Sequence, residues 1–471
     1  MLGDPKMAAT DADGAADTEG SPSSQPPPPY PGPPGLGDHF KLKHMDFMPV
    51  CLDEGGFLSH PKYDRFDGCI ELANQWLLEN PEVDVKSCES LEVRAKGSKV
   101  NTDLATYYEY GKARSFFVRG LRVWYGPRLD LPPGTLPQQI GYLNVVPGST
   151  NTGGVFQFPD FEPFGQTINR LNGLLKETPI PGRILNLETR DMKYHGTWTH
   201  QGVDPDRSCW TQSGETTTMY LFVIRVFYLL GPPVPEEIGR AGEGRDCVAD
   251  FVPEMISPPQ GIFSNPQFEN FSSVMTKARS WAESHLRTVR LINIQSFDVK
   301  VHRSKFTGAV TIDSQRASHI EHGKHTTAFI RIIRLVYGRL RGSLDLPPPL
   351  PMVLSVKTFV PAIICRGGSW GIPQYESLRD TIKRAQVWLS LTGVNIVSAE
   401  TISIRMHYGR ISDEGAETTL TYHRTDHGSY FLTAFRIYID GVYEEPSPDL
   451  LPPPPDESEF SMDDFGCCNV M

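Results

Sequence analysis

Ser369 stands in a sequence pattern that could supply a catalytic nucleophile. The run Gly367–Gly371 fits G-x-S-x-G, in which a sharp turn exposes the serine hydroxyl directly before a helix. Pro373 follows where that helix would have to begin, and proline removes a backbone donor. Hydrolysis by Ser369 is therefore a distant alternative. We predict that the chain is not an enzyme and requires no cofactor.

Three histidines, His319, His322 and His325, are spaced as H-x-x-H-x-x-H. Imidazole groups spaced in this way could bind zinc from a helix or a loop. They lie in a polar and variable connection between predicted strands, which favours a solvated loop. No metal site is predicted.

The last four residues, Cys468–Met471, resemble a C-a-a-X prenylation box. Val470 is aliphatic, and Met471 at the final position favours a farnesyl group. One lipid holds a protein weakly, so stable anchoring needs a second signal, for which Cys467 is the candidate as a palmitoylation site. We predict a cytoplasmic protein that farnesyl at Cys468 holds at the cytoplasmic face of a membrane. The alternative is an unmodified tail with two exposed thiols.

A proline-rich stretch at residues 21–36 predicts an extended polyproline helix that cannot bury a core. Within it, Pro27, Pro28 and Tyr30 fit P-P-x-Y, which is similar to the ligands of WW domains. The alternative is a plain linker. Protein partners are predicted, and WW-domain proteins are candidates.

The central part of the chain contains a fourfold repeat. Four strand-like segments end in proline: Met45–Pro49, Leu143–Pro147, Ala249–Pro253 and Lys357–Pro361. An aromatic residue follows each proline after 14 or 15 residues: Tyr63, Phe161, Phe268 and Tyr375. Another 13 residues lead to a further matched position: Trp76, Leu174, Trp281 and Trp388. This constant spacing predicts four tandem repeats, with the tryptophans in the contact between helix and sheet.

Each repeat combines one helix with several strands. Leu378, Ile382, Ala385 and Leu389 recur at helical spacing, and aromatic and β-branched strands follow. Short polar loops between consecutive strands favour antiparallel pairing. The predicted class is α+β, with one helix packed on a small antiparallel sheet in each repeat. This plan resembles cystatin-like folds, which is an analogy of fold and implies no function.

A glutamate and an arginine recur on two strands of each repeat. An arginine inside an apolar strand needs a partner, because an unpaired buried charge is expensive. We predict structural pairs across the strands: Glu89 with Arg122, Glu188 with Arg225, Gln295 with Arg334, and Glu400 with Arg436. The alternative is that the arginines point to solvent.

Proline runs separate the predicted domains. These are a disordered proline-rich acidic arm at 1–39, repeats at 40–138, 139–244, 245–350 and 351–451, and an acidic tail at 452–471. The net charge is −11, but residues 1–40 hold −5 and residues 440–471 hold −9, which leaves +3 for the body. No basic stripe is present, so nucleic acid is not a predicted partner.

The predicted function is a non-enzymatic scaffold or adaptor of four repeated units, tethered to a membrane by prenylation. The first alternative is a repeat protein that binds a small molecule or a lipid in each repeat. Filled interiors with exposed apolar patches would favour the scaffold. Closed pockets of roughly 300 Å³ or more would favour the ligand-binding protein.

Overall fold

The computed structural model describes residues 42–453 except for 57–58, 110–113, 129–131, 133, 152–157, 197–200, 213–216, 233–235, 238–246, 260–265, 286–289, 305–308, 322–325, 341–351, 366–372, 407–414 and 425–428. Within this part, four helices and small antiparallel sheets form a fourfold arrangement. The predicted mixed class, antiparallel pairing and fourfold repetition are confirmed. None of the described helices has the length and apolar character needed to cross a bilayer.

Four units, numbered one to four along the chain, contain the same main elements in the same order. Unit one has β1 (Lys43–Phe47), β2 (Cys51–Asp53), β3 (Lys62–Tyr63), α1 (Phe66–Glu79), β4 (Val83–Ala95), β5 (Thr106–Glu109) and β6 (Ser115–Pro127). Unit two has β7 (Ile140–Val145), α2 (Phe164–Glu177), β8 (Gly182–Lys193), β9 (His195–Gly196), β10 (Gln201–Gly202), β11 (Cys209–Gln212), β12 (Thr218–Leu230) and β13 (Glu236–Glu237).

Units three and four repeat this order. Unit three has β14 (Val248–Phe251), β15 (Met255–Ser257), β16 (Gln267–Phe268), α3 (Phe271–His285), β17 (Arg290–Arg303), β18 (Val310–Ile312), β19 (Ser318–Glu321) and β20 (Thr326–Leu340). Unit four has β21 (Leu354–Phe359), β22 (Ile363–Cys365), β23 (Gln374–Tyr375), α4 (Leu378–Thr392), β24 (Asn395–Met406), β25 (Leu420–Arg424), β26 (Ser429–Asp440) and a 3₁₀ turn (Pro448–Leu450).

One long strand in each unit carries the matched arginine, and we call β6, β12, β20 and β26 the arginine strands. One edge of β6 pairs antiparallel with β4 along most of its length. The opposite edge is divided, because β1 covers Leu121–Tyr125 and β11 covers Ser115–Val118. Since β11 belongs to unit two, unit one alone would leave half of this edge without hydrogen-bond partners.

Each unit completes the sheet of its neighbour with one short strand, and we call β5, β11, β19 and β25 the exchanged strands. The strand β11 pairs with β6, β19 pairs with β12, and β25 pairs with β20. The series closes because β5 of unit one pairs with β26 of unit four. The four units therefore form a closed ring, which the sequence analysis did not predict.

Each helix packs between two neighbouring units. The buried cluster around α1 includes Ile140 and Phe227 of unit two, and the cluster around α4 includes Trp124 of unit one. The clusters around α2 and α3 are shared with the next unit in the same way. Leu42 and Leu451, near the two ends of the described chain, both pack in the α4 cluster. Burial of apolar surface therefore stabilises each junction as well as each unit.

The three matched tryptophans share one packing site. Each ring packs against the phenylalanine that ends the first strand of its unit: Trp76 with Phe47 at 5.8 Å, Trp281 with Phe251 at 6.1 Å, and Trp388 with Phe359 at 5.6 Å between ring centroids. Leu174 is different, because it is 49% exposed, whereas Trp388 is 1% exposed. The position is therefore fully buried in unit four and peripheral in unit two.

Replacing Trp388 with alanine tests whether the junction between units four and one stabilises both units. We expect the free energy of unfolding to fall by about 3–5 kcal/mol, as for other buried aromatic side chains. Hydrogen exchange should increase in β6 as well as in β26, because Trp124 belongs to the same cluster. The matched control Leu174→Ala should cost about 1 kcal/mol or less, since that side chain is half exposed. Independent unfolding of units one and four would contradict the ring.

Candidate functional site

Four long strands lie side by side around the axis of the ring, and we call β4, β8, β17 and β24 the axial strands. Each contacts the axial strands of the units before and after it. Three of them carry the matched glutamate, and Gln295 takes its place in unit three. Side chains at this level can therefore connect one unit to the next.

The matched acids and Gln295 form a closed cycle of hydrogen bonds around the axis. The carboxylate of Glu89 accepts from the backbone N of Thr401 at 2.8 Å and from its Oγ1 at 2.5 Å. Each of the others also accepts from the preceding unit. The four links are Glu89 with Thr401, Glu188 with Ser90, Gln295 with Thr189, and Glu400 with Ser296. These buried groups hold neighbouring units together.

The matched arginines lie across from these residues, but their hydrogen bonds go elsewhere. The register pairs are Glu89 with Arg122, Glu188 with Arg225, Gln295 with Arg334, and Glu400 with Arg436. The charged atoms of Arg122 and Glu89 are 3.9 Å apart, and those of Arg436 and Glu400 are 3.7 Å apart. Arg122 instead donates two bonds to Asp46 on the first strand, at 2.6 and 2.7 Å. Glu89 and Arg122 are therefore neighbours, as predicted, but Asp46 is the main partner of Arg122 and was not predicted.

The first strand supplies an aspartate in units one and three and a neutral partner in units two and four. Asp250 accepts two bonds from Arg334 at 2.6 and 2.7 Å, so Gln295 is not the acceptor predicted for that arginine. Asn144 accepts one bond from Arg225 at 2.8 Å, and Thr358 accepts one from Arg436 at 3.0 Å. Burial lowers the pKa of Arg225 to about 10. Its neighbour on the first strand, Asn144, is neutral. The side chain of Arg225 remains charged at neutral pH.

All four arginines lie buried at junctions rather than facing solvent. Arg225 donates to the Oγ of Ser90 in unit one at 2.7 Å and lies 3.8 Å from the ring centre of Phe66, the first residue of α1. The other two stacked pairs are Arg334 over Phe164 at 3.7 Å and Arg436 over Phe271 at 3.6 Å. Leu378 begins α4, so the junction between units four and one has no ring at this position.

Several residues singled out in the sequence lie outside the described part of the chain: Pro27, Pro28, Tyr30, His322, His325, Ser369, Cys467 and Cys468. His319 is described, lies on an exchanged strand and is 4% exposed, so it is not in a solvated loop. Among the described residues, no group of three His, Cys, Asp or Glu side chains is placed to hold a metal ion.

A cavity of about 340 Å³ lies at the centre of the ring. All four units line it, at the level just beyond the matched acids: Ser90, Thr189, Ser296 and Thr401. It also reaches the junction between units four and one, where Asn101, Leu104 and Leu378 line it. Leu378 begins its helix, whereas phenylalanine begins the helix at each of the other junctions. We call the whole central cavity of about 340 Å³ the axial cavity.

One pair of matched positions makes the axial cavity asymmetric. Three residues beyond the matched acid, Glu92 pairs across the strands with Arg119 in unit one, and their charged atoms are 2.5 Å apart. Asp298 pairs in the same way with Arg331 in unit three, at 2.9 Å. In unit two Phe222 lies across from Asp191, and in unit four Thr433 lies across from Ser403. Unit two therefore keeps the acid without the arginine.

Asp191 is the unbalanced charge of this cavity. Within the described residues its carboxylate accepts no hydrogen bond and has no cationic nitrogen within 4.0 Å. Asp191 is an exposed residue that opens onto the cavity. Desolvation, followed by repulsion from Glu92, raises its pKa above the usual 3.8, although His319, Arg190 and Arg119 act in the opposite direction.

Aromatic side chains form the wall beside Asp191. The ring of Phe222 lies 5.7 Å from that of Phe297 and 5.4 Å from that of His319. His319 also stacks on Tyr220 at 5.2 Å. Within the described part of the chain, Tyr220 Oη and His319 Nδ1 are buried without a hydrogen-bond partner. This part of the cavity therefore combines polarisable rings with polar atoms that have unused hydrogen-bonding capacity.

Comparison of the chain with protein-family models, with curated proteins and with solved structures finds no match. The inferences about function therefore rest on the geometry of the ring and on the motifs of the two ends.

Leucine substitutions at Arg334 and Arg225 test how much an unpaired aspartate on the first strand adds to the loss of stability at a junction. Arg334→Leu leaves Asp250 buried and without its bidentate partner, so we expect a loss of about 3–5 kcal/mol in the free energy of unfolding. Arg225→Leu leaves the neutral Asn144 and the partly exposed Asp206, which lies 4.0 Å away and keeps its bonds from Tyr142 and Asn144, so its loss should be clearly smaller. Chemical denaturation of both variants provides the measurement. Equal losses would contradict this assignment.

Asp191→Asn tests the unbalanced carboxylate through the pH dependence of stability. A raised pKa means that Asp191 disfavours folding once it ionises, so the variant should gain in Tm over the wild type as the pH rises above about 4. The two proteins should converge at lower pH, where the acid is protonated in both states. Asp298→Asn is the matched control and should lower Tm at pH 7, because it removes the partner of Arg331. A lower Tm for Asp191→Asn at pH 7 would contradict the prediction.

Proposed function

We propose that this chain is a non-enzymatic scaffold or adaptor with a ring-shaped body that a lipid tethers to a membrane. The observation that carries the proposal is the exchange of one strand between every pair of neighbouring units. A body built in this way keeps fixed distances between the surfaces of its units. The arginine that recurs in all four units is buried at the junctions, where it bonds to its own first strand and to a hydroxyl of the preceding unit. This supports a structural role for it rather than a catalytic one.

Exposed apolar side chains on the hairpins support a role in binding proteins. Leu52 on β2 and Ile256 on β15 occupy matched positions, and each is 67% exposed. Ile363 on β22 is 39% exposed on the matched hairpin of unit four. Side chains of this kind are suited to contacts with partners. The P-P-x-Y pattern at Pro27, Pro28 and Tyr30 adds a WW-domain protein as a candidate partner.

The membrane tether rests on the C-terminal residues of the sequence. Farnesyl at Cys468 supplies one anchor, and palmitoyl at Cys467 would supply the second signal that stable attachment requires. We propose that the protein works at the cytoplasmic face of a membrane. The likeness of each unit to cystatin-like folds remains an analogy and supports no activity.

Binding of a small molecule is the second candidate function, and the axial cavity favours it. The ligand-binding alternative predicts a closed pocket in each repeat, under its helix, whereas the helix–sheet contacts are occupied by buried side chains such as Phe66, Phe164 and Phe271. The volume of about 340 Å³ lies instead at the centre of the ring. It falls within the range of pockets that hold small ligands.

Cell fractionation of the full chain tests the tether. We expect wild type in the membrane fraction and Cys468→Ser in the soluble fraction, because serine cannot accept a thioether-linked lipid. Cys467→Ser should give an intermediate distribution, since one lipid provides only reversible attachment. Equal distribution of wild type and Cys468→Ser would contradict prenylation and would leave the ring scaffold unaffected.

A further inference from the structure

We propose that the axial cavity is a binding site for a small organic cation, whose ammonium group pairs with Asp191 and whose apolar part packs on the neighbouring rings. This site deepens the second candidate function and rests on it, and it is independent of the membrane tether. The four units share one backbone plan and differ in the side chains at one level of the cavity.

Units one and three neutralise their acids from within. Arg119 donates to Glu92, and Arg331 donates two bonds to Asp298, so neither carboxylate needs a ligand. Unit two keeps the acid as Asp191, while Phe222 occupies the arginine position. The carboxylate of Asp191 opens onto the cavity and has no internal cationic partner among the described residues, so a cation from solution can reach it and pair with it. An ammonium group from a ligand would supply the positive charge that the arginine supplies in units one and three.

The opposite side of the ring provides the space. Unit four contacts units three and one but lies across the axis from unit two. Its residues at this level are Ser403 and Thr433, which are small and uncharged. A ligand that reaches from Asp191 towards unit four would therefore meet little steric hindrance. The cavity also reaches the outer residues Asn101 and Leu104 beside Leu378, which marks an entry route between units four and one.

At the level of Asp191 the wall favours a cation over an anion, although Arg94, Lys193 and Arg405 also line the cavity. Lys193 donates to the carbonyl of Thr211, and Arg405 donates to Ser429 Oγ. Arg119 and Arg331 are engaged by acids, and Arg190 donates to the carbonyl of Ser90 and lies 3.8 Å from Glu188. The rings of Phe222 and Phe297 lie beside the acid, and aromatic faces attract ammonium groups.

Phenethylamine is a suitable probe, because it joins an ammonium group to one aromatic ring. Its binding to the full chain can be measured by calorimetry at pH 7 beside two probes of similar shape, the neutral 2-phenylethanol and the anionic 3-phenylpropanoate. We expect the amine to bind at least tenfold more tightly than either. Asp191→Asn should weaken amine binding at least tenfold, while a Tm no lower than that of wild type shows that the variant is folded.

Phe222→Arg is the second variant, because it places in unit two the arginine that units one and three already have. It should abolish amine binding through an internal ion pair with Asp191, whereas the control Phe222→Leu should retain binding. Amine binding that is unchanged in Asp191→Asn would overturn the proposed site. Preferential binding of the alcohol or the carboxylate would overturn the ligand class and keep the second candidate function. Binding of none of the three probes would overturn both.

Discussion

The structure depends on an edge that no unit can cover by itself. In each arginine strand, the first strand of the same unit pairs with one half of the edge, and the exchanged strand of the next unit pairs with the other half. Unpaired backbone groups on a buried edge are expensive, so the isolated unit is incomplete. Repetition of this exchange four times brings the last unit back to the first. Closure therefore follows from the same interaction that links sequential neighbours.

The buried arginines make each junction specific as well as stable. Each guanidinium contacts its own first strand and a hydroxyl of the preceding unit, and three of them also stack on a phenylalanine. A guanidinium has five donors in a rigid plane, which suits it to several partners at once. The junction between units four and one differs in two respects. No chain segment links the two units there in sequence, and Leu378 replaces the stacked ring.

Local patterns in the sequence were sufficient to identify the repeated unit. Contacts within one unit determine the spacing of Trp76, Trp281 and Trp388 and the helical recurrence from Leu378 to Leu389. Such local contacts produce a periodic pattern that is visible in the sequence. The pairing of the exchanged strands with a neighbouring unit could not be predicted from such periodic patterns. Thr106–Glu109 is only four residues long, and its partner β26 lies more than 300 residues later in the chain. No local pattern specifies which of four similar edges such a strand covers.

The axial cavity was partly accessible from the sequence. Arg119, Phe222, Arg331 and Thr433 all lie three residues before the matched arginine, so alignment of the repeats would have exposed the exception in unit two. What alignment could not provide is the circular order that brings these positions to one axis. The partnership of Arg122 with Asp46 was missed for a related reason, since the strand on each side of an arginine offers a polar residue in register.

The two ends of the described chain meet in one place. Leu42 precedes β1 and Leu451 follows the 3₁₀ turn, yet both pack in the cluster around α4, and Gln386 donates to the carbonyl of Leu42. The chain therefore enters and leaves the described part of the ring at one place. Two groups attached at residues 42 and 451 would be held close together on one molecule, so each would have a raised effective concentration near the other. Closure of the ring thus turns two positions that are distant in sequence into neighbours on its surface.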